Sequence, residues 1–546
     1  MRRLMRTLLA VSLLAFVASS VAADASVKAS RKPMPPRWVR HVRNYRGGLS
    51  GTVRISLAPA VIRAQAANLR VTRRLSSRSF ASPSGLVNVQ ANTDTFPKLP
   101  QDETSVAVST RDPLTAVAAS NDYINGGLWI GTTHDGGKTW SSQFLASRLA
   151  QTGDFCTGGD PSVVYSARDR AFYASQLCFF RIHPESAVAV FGSKDGGNTW
   201  TGARYSSQVI SNVSFDAGGN LVINGSVFYD KELLAVDNNP SSPHYGRLWI
   251  TYVKFHLQPT GFSDYCPAQF AYTDNVDPDK NGDLRDTLWT NRSLMPDNPG
   301  DNGVGRSANQ DAMPVVDNQG GLDVSFSSED CNTALDRQLL FRRVLPNGDR
   351  SGVRRIDHEH QWKDNPDLGD VLAPKIARIP LSPSMAFNPK TGALEYVVMN
   401  NVNSATSGAD ISYAESFDYG GTWSDLRPVS VDGSGNPAPQ DQFFPWIAAA
   451  PNGVTHIIWF DNRNDSGNQL IETFGVSTAD TTDFTGFRNL STASWDPNNS
   501  FFTSGAFFGD YNGLAVGPGV SYPVWTDGRN SPGSPLGDTD IFTIPN

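Results

Sequence analysis

Four cysteines in 546 residues are too few for a disulfide-dense scaffold, and the absence of any Cys-x-x-Cys pair excludes a zinc ribbon or a thioredoxin-like site. Charged side chains make up only 18% of the chain, but 39% is hydrophobic, enough for a sizeable core and too much for wholesale disorder. No apolar run reaches the roughly 20 residues that a membrane-spanning helix needs. What is plentiful is punctuation and rings. There are 48 Gly and 35 Pro alongside 29 Phe, 15 Tyr and 12 Trp, a composition that predicts many short strands separated by many turns.

Residues 1–23 read as a secretory signal. Arg2, Arg3 and Arg6 precede a short apolar stretch, Leu8 to Val17, and the small residues Val21-Ala22-Ala23 offer a cleavage site. The leucine-rich stretch favours the general export route over a twin-arginine one, and a secreted location, extracellular or periplasmic, is expected. Export permits disulfides. Cys156 with Cys178 and Cys266 with Cys331 is one of three possible connectivities.

Charge is unevenly placed. Residues 1–80 carry 16 Lys/Arg and one acid, Asp24, which leaves 30 basic and 52 acidic residues, a balance of −22, in 81–546. Residues 24–95 are therefore expected to be a basic leader, either a solvated linker or pro-segment or a tether to an anionic envelope or to the body itself. The acidic body argues against nucleic-acid binding.

The body is repetitive. An apolar stretch, a turn and a second apolar or aromatic stretch recur at Asp102–Asp122, Asp160–Leu177, Asp230–Tyr252, Asp311–Asp330, Ser382–Asn401, Asp441–Arg463 and Asp510–Arg529. Each unit predicts two antiparallel strands, and starts roughly 60–80 residues apart leave room for two more. Seven four-stranded sheets about an axis make an all-β fold, a β-propeller, with residues near Val87–Phe96 closing it against Asp540–Ile544. A second motif, [ST]-x-D-x-G-x-T-W, occurs around Asp135, Asp195 and Asp418. Its Asp accepts turn N–H groups, its Gly supplies positive φ and its Trp anchors the turn.

These turns are the Asp boxes of the sialidase-like (BNR-repeat) β-propeller superfamily, which residues 96–546 resemble. The resemblance implies that Asp135, Asp195 and Asp418 are structural, on outer hairpins. The repeats number seven; catalytic sialidases have six blades, the alternative here. The superfamily holds sialidases, other glycoside hydrolases, sorting receptors and assembly factors. True sialidases use three arginines on the substrate carboxylate, a Tyr activated by Glu, and an Asp acid/base, with the first arginine in an [FY]-R-I-P motif. This sequence departs from that motif: Phe180-Arg181-Ile182-His183 has His for Pro, and Arg378-Ile379-Pro380 lacks the aromatic residue.

In a propeller, residues before the first strand and after the second strand of each blade share one face. That gathers Asp102, Asp160, Asp230, Asp311, Asp441 and Asp510 around one mouth of the channel, with Arg463, Arg529 and Tyr511. Crowded carboxylates cannot all ionise independently, so the ring offers acid or base catalysts, or oxygen ligands for a divalent cation. Catalysis is assigned to Asp441, Asp510, Tyr511 and Asp230. Substrate contact is assigned to Arg463 and Arg529, as bidentate clamps on a carboxylate, and to Asp102, Asp160 and Asp311. The alternative roles are turn caps for the aspartates and local pairing with Asp461 and Asp527 for the arginines.

No metal site is assigned. Calcium enters only as a possibility, because Asp277–Asp283 resembles the start of a calcium loop whose twelfth position is Leu288 rather than Glu. Asp357-His358-Glu359-His360 reads as a solvated loop. The functional expectation is a secreted glycoside hydrolase acting on glycans, acidic ones included. The alternatives are a non-catalytic propeller binding a glycan, peptide or protein, and a structural envelope protein. A monomer is expected.

Overall fold

Each apolar–turn–apolar unit forms the inner strand pair of an antiparallel sheet. The computed structural model describes residues 34–45, 47–59, 61–63, 78–82, 85–92, 100–277, 279–297, 307–333, 338–357, 371–400, 408–502, 505–531 and 537–546. The signal segment, and His358 to His360, lie outside these residues.

Seven blades follow one another along the chain. Their inner strands are Ser105–Val108, Ser162–Ser166, Val227–Val236, Asn309–Val316, Ser384–Phe387, Gln442–Ala449 and Gly513–Gly517. Each inner strand packs on that of the next blade, and the seventh packs on the first, which closes the ring. Blade 7 joins both ends of the chain. Its third strand, Asp540–Thr543, pairs with Val87–Gln90 in the register Val89↔Thr543 and Gln90↔Phe542, and Arg78–Ala81 completes it. The edges of the sheets are thereby short and mutually protected.

Serines join neighbouring blades. The Oγ atoms of Ser105, Ser162 and Ser384 accept the N–H groups of Val163, Leu234 and Ile447, each on the next inner strand, at 2.9, 2.9 and 3.3 Å. On the outside, Asp135 accepts from Thr139 N at 2.9 Å and from its hydroxyl at 2.6 Å; Asp195 and Asp418 repeat the arrangement. These aspartates lie between the third and fourth strands of their blades, far along each sheet from the inner strands. The disulfides are Cys156–Cys178 and Cys266–Cys331, the sequential connectivity. Among the described residues no helix is long and apolar enough to cross a membrane.

The basic segment is not a solvated linker over its described part. Helices α1 (Arg37–Asn44) and α2 (Gly51–Ile55) are built into the body. Trp38 is 1% exposed, with ring centroids 5.5 Å from both Phe179 of blade 2 and Phe228 of blade 3. Ile55, Ala58 and Val61 pack with Tyr123, Ile124 and Phe507. The basic side chains are used on backbone oxygens: Arg37 donates to Leu257 O at 2.7 Å, and Arg54 to Leu49 O and Tyr45 O at 3.0 Å.

If the leader is part of the core, Trp38→Ala should lower the global unfolding free energy by about 3–5 kcal/mol, read from urea denaturation. A solvated leader would leave the midpoint unchanged.

Candidate functional site

Six of the seven inner strands carry a residue with left-handed backbone, two places before the strand in blades 1, 2 and 5 and at a register shift within the strand in blades 3, 4 and 6. These are Glu103 (φ 57), Asp160 (φ 55), Lys231 (φ 54), Asp311 (φ 51), Ser382 (φ 44) and Phe444 (φ 52). Such a conformation costs a non-glycine residue on the order of 1 kcal/mol or more, and it concentrates where side chains must be aimed. Five of the six line one small cavity at the channel mouth, together with Glu232, Asp510 and Tyr511, and Ser50 of the leader closes it. Its volume is ≈ 40 Å³, room for a few waters and not for a sugar ring. A second cavity of ≈ 150 Å³ adjoins it; the two share Leu233, Met313 and Trp446.

The acids of this mouth are shifted in opposite directions. Burial raises Asp102 to about 7, reinforced by the charges of Asp510 and Asp160 and opposed by hydrogen bonds from Asn121 (2.8 Å) and Tyr123 (3.1 Å). Burial likewise pushes Glu103 well above the usual range, and Asp160, Asp510 and Asp102 add to the shift. Asp160, Asp230 and Glu232 are raised chiefly by burial too. Neither oxygen of Glu232 makes an ordinary hydrogen bond to another residue.

Asp510 goes the other way. Burial alone would raise it, but Arg378, Lys231 and the Gly51 N–H outweigh burial and hold it below the ordinary range. Arg378 Nη1 stands 2.5 Å from both carboxylate oxygens, and Gly51 N donates at 3.0 Å. Lys231 is kept charged: burial works against it, but Asp311, at 2.8 Å, and Asp510 prevail.

The structure thus brings Asp160, Asp311, Asp510 and Tyr511 to one cavity, with Asp102 and Asp230 electrostatically joined to them. It does not bring Asp441 there. That carboxylate pairs with buried Lys375 at 2.8 Å and accepts from Ala409 N and Asn468. Arg463 and Arg529 are also absent from the cavity lining. Arg463 is bound to Asp461 at 2.7 Å and lies over Phe474 and Phe487; Arg529 is bound to Asp527 at 2.6 Å and lies over Phe542. Trp459 and Trp525 donate to the same two aspartates, so each Trp-x-Asp-x-Arg run is a repeated brace, the local-pairing alternative. Tyr511 donates to Pro161 O at 3.1 Å. Burial and the surrounding acids raise it well above its ordinary value, so it is a neutral phenol rather than an activated nucleophile.

Glu103, Lys231, Glu232 and the leader's Ser50 to Thr52 escaped the sequence reading, and Arg378 stood out there only as a departure from the sialidase motif, with no site role assigned. The inward residue is the one with positive φ, which in blades 1 and 3 follows the conspicuous Asp by one place. Aligning the repeats on the joining serines would have found it, since Glu103, Asp160 and Ser382 each stand two residues before one.

Among the described residues, no group of three or more His, Cys, Asp or Glu is arranged to hold a metal ion. Asp277 instead accepts from Asn281 N and Gly282 N of its own loop and pairs with Lys194.

No family model matches the chain, and no curated protein matches it. Solved structures similar to it include the Hadza microbial sialidase Hz136, at 12% identity over 79% of this chain and 73% of that one, with a TM-score of 0.41. Trypanosoma rangeli sialidase in complex with the inhibitor DANA matches at 11% identity over 73% of this chain and 57% of that one, TM-score 0.41. The leech intramolecular trans-sialidase complexed with 2,7-anhydro-Neu5Ac matches at 11% over 86% and 92%, TM-score 0.38. No site residue is carried over from them.

Folded Asp102 titrates at about 7 against an ordinary 3.8. Between those values the folded state binds more protons than the unfolded chain, so this carboxyl withdraws stability as pH rises from about 3.8 to about 7. The melting temperature of Asp102→Asn relative to wild type should therefore climb across that window. A difference independent of pH would contradict a raised carboxyl.

Proposed function

We propose that the chain is a secreted glycoside hydrolase whose chemistry rests on Glu103 as proton donor and Asp510 as the ionised partner. The observation that carries this reading is the opposite shift of two buried acids that line one cavity, Glu103 upward and Asp510 downward. Acid–carboxylate pairs with separated pKa values are what cleavage of a glycosidic bond requires: one protonates the departing oxygen, the other stabilises or attacks the anomeric carbon. Glu103 is held by Thr52 and Asn121 through Oε2, at 2.6 and 2.7 Å, which leaves Oε1 to carry the proton. Asp510 is fixed as an anion by Arg378. Lys231 and Asp311 supply a further polar wall. In this scheme Asp441 has a supporting place only, and Tyr511 a packing one.

A second reading, a propeller that binds a glycan without turning it over, is favoured by the unactivated state of Tyr511.

The test is release of fluorophore from a panel of neutral and acidic aryl glycosides by the full chain. Glu103→Gln and Asp510→Asn should each lower the rate at least ~100-fold. Wild-type rates in both variants would exclude this pair; retention of glycans on an array with no release from any substrate would favour the binding reading.

A further inference from the structure

The cavity is small because the leader sits in it. Three consecutive residues offer three donors to three different blades. Ser50 N–H reaches Asp230 Oδ2 of blade 3 at 2.6 Å, Gly51 N–H reaches Asp510 Oδ2 at the entry to blade 7 at 3.0 Å, and the Thr52 hydroxyl reaches Glu103 Oε2 at the entry to blade 1 at 2.6 Å. Both sides are cut back to make the fit. A Cβ on Gly51 would stand 1.9 Å from the Phe507 ring, and one on Gly159, which faces the leader from blade 2, would stand 2.2 Å from Thr52 Cγ2.

We infer that Ser50, Gly51 and Thr52 are a built-in ligand mimic: they occupy the place of an uncharged sugar ring presenting adjacent hydroxyl donors, and they hold the site shut in the full chain. The inference rests on reading the mouth as a glycan site and names the substrate class of that site.

The donor–acceptor balance selects the class. Asp230 Oδ2, Asp510 Oδ2 and Glu103 Oε2 all accept here, and the guests they hold are N–H and O–H donors. Its two cations are already engaged, Lys231 with Asp311 and Arg378 with Asp510. A ligand carboxylate would enter among acids with both of these cations already taken, whereas hydroxyls replace the leader's three donors one for one. The arginines that sequence reasoning assigned to a substrate carboxylate, Arg463 and Arg529, are bound to their own aspartates. Neutral hexosides or N-acetylhexosaminides fit this balance; sialosides do not.

The test uses two wedges from opposite sides in the full chain. Gly51→Ala presses the leader against Phe507, and Gly159→Ala presses blade 2 against Thr52. Calorimetry with methyl glycosides of neutral hexoses and N-acetylhexosamines, and with sialyllactose, reads binding; the corresponding aryl glycosides read turnover. Both variants should bind at least one neutral glycoside at least tenfold more tightly than wild type, with no gain for sialyllactose. Unchanged binding in both variants, or a gain confined to sialyllactose, would overturn the inference. Tighter neutral binding without turnover would uphold the mimic and reject the hydrolase. Should a wedge unfold the protein, hydrogen exchange of the Ser50 and Gly51 amides in wild type decides. Faster exchange in concentrated methyl glycoside supports displacement, and unchanged exchange contradicts it.

Discussion

Charge crowding in a buried channel mouth is the constraint on which the rest of this structure depends. Seven strands converging on an axis bury Asp102, Glu103, Asp160, Asp230, Glu232 and Asp510 close together, and six such groups cannot all be anions there. The fold relieves the conflict in three ways. Most of the acids are pushed toward the neutral form. Lys231 and Arg378 hold Asp311 and Asp510. The leader contributes three further donors. The separation of acid from carboxylate that hydrolysis needs is thus a by-product of how the crowding is resolved.

The same constraint gives the basic leader its place. Its arginines satisfy backbone oxygens, and its Trp38 anchors it between blades 2 and 3, so that the chain from Ser50 to Thr52 is delivered to the acids. Left-handed backbone just before or within six inner strands aims the lining side chains and is tolerated because neighbouring strands over-determine it. Strain, buried acids and a donor-bearing segment coincide at one mouth of the channel.

Much of this was legible in the residues. The repeat of strand, turn and strand carried the seven four-stranded blades, and Asp540–Thr543 beside Val87–Gln90 closes the ring as expected. The convergence of Asp160, Asp311, Asp510 and Tyr511 followed from topology alone. What was not legible depended on backbone φ and on pairing at a distance. A one-residue offset hid Glu103 behind Asp102 and Lys231 behind Asp230. Asp441 shares the repeat position but meets Lys375, 66 residues earlier in the chain. Arg463 and Arg529 look like substrate clamps in a sequence, yet each has an aspartate two residues away and an aromatic face to lie on, and the local partners win. The leader's role had no local signal, because composition reports its charge and not its fit.

The most direct test of the account is the protonation state of the acids themselves. Carboxyl ¹³C resonances of the labelled protein, assigned by substitution and followed from about pH 3 to about pH 8, report each group separately. The account predicts that Asp510 ionises below the ordinary aspartate range and Glu103 only well above the ordinary glutamate range. Titration of both carboxyls together in the ordinary range near pH ~4 would contradict it.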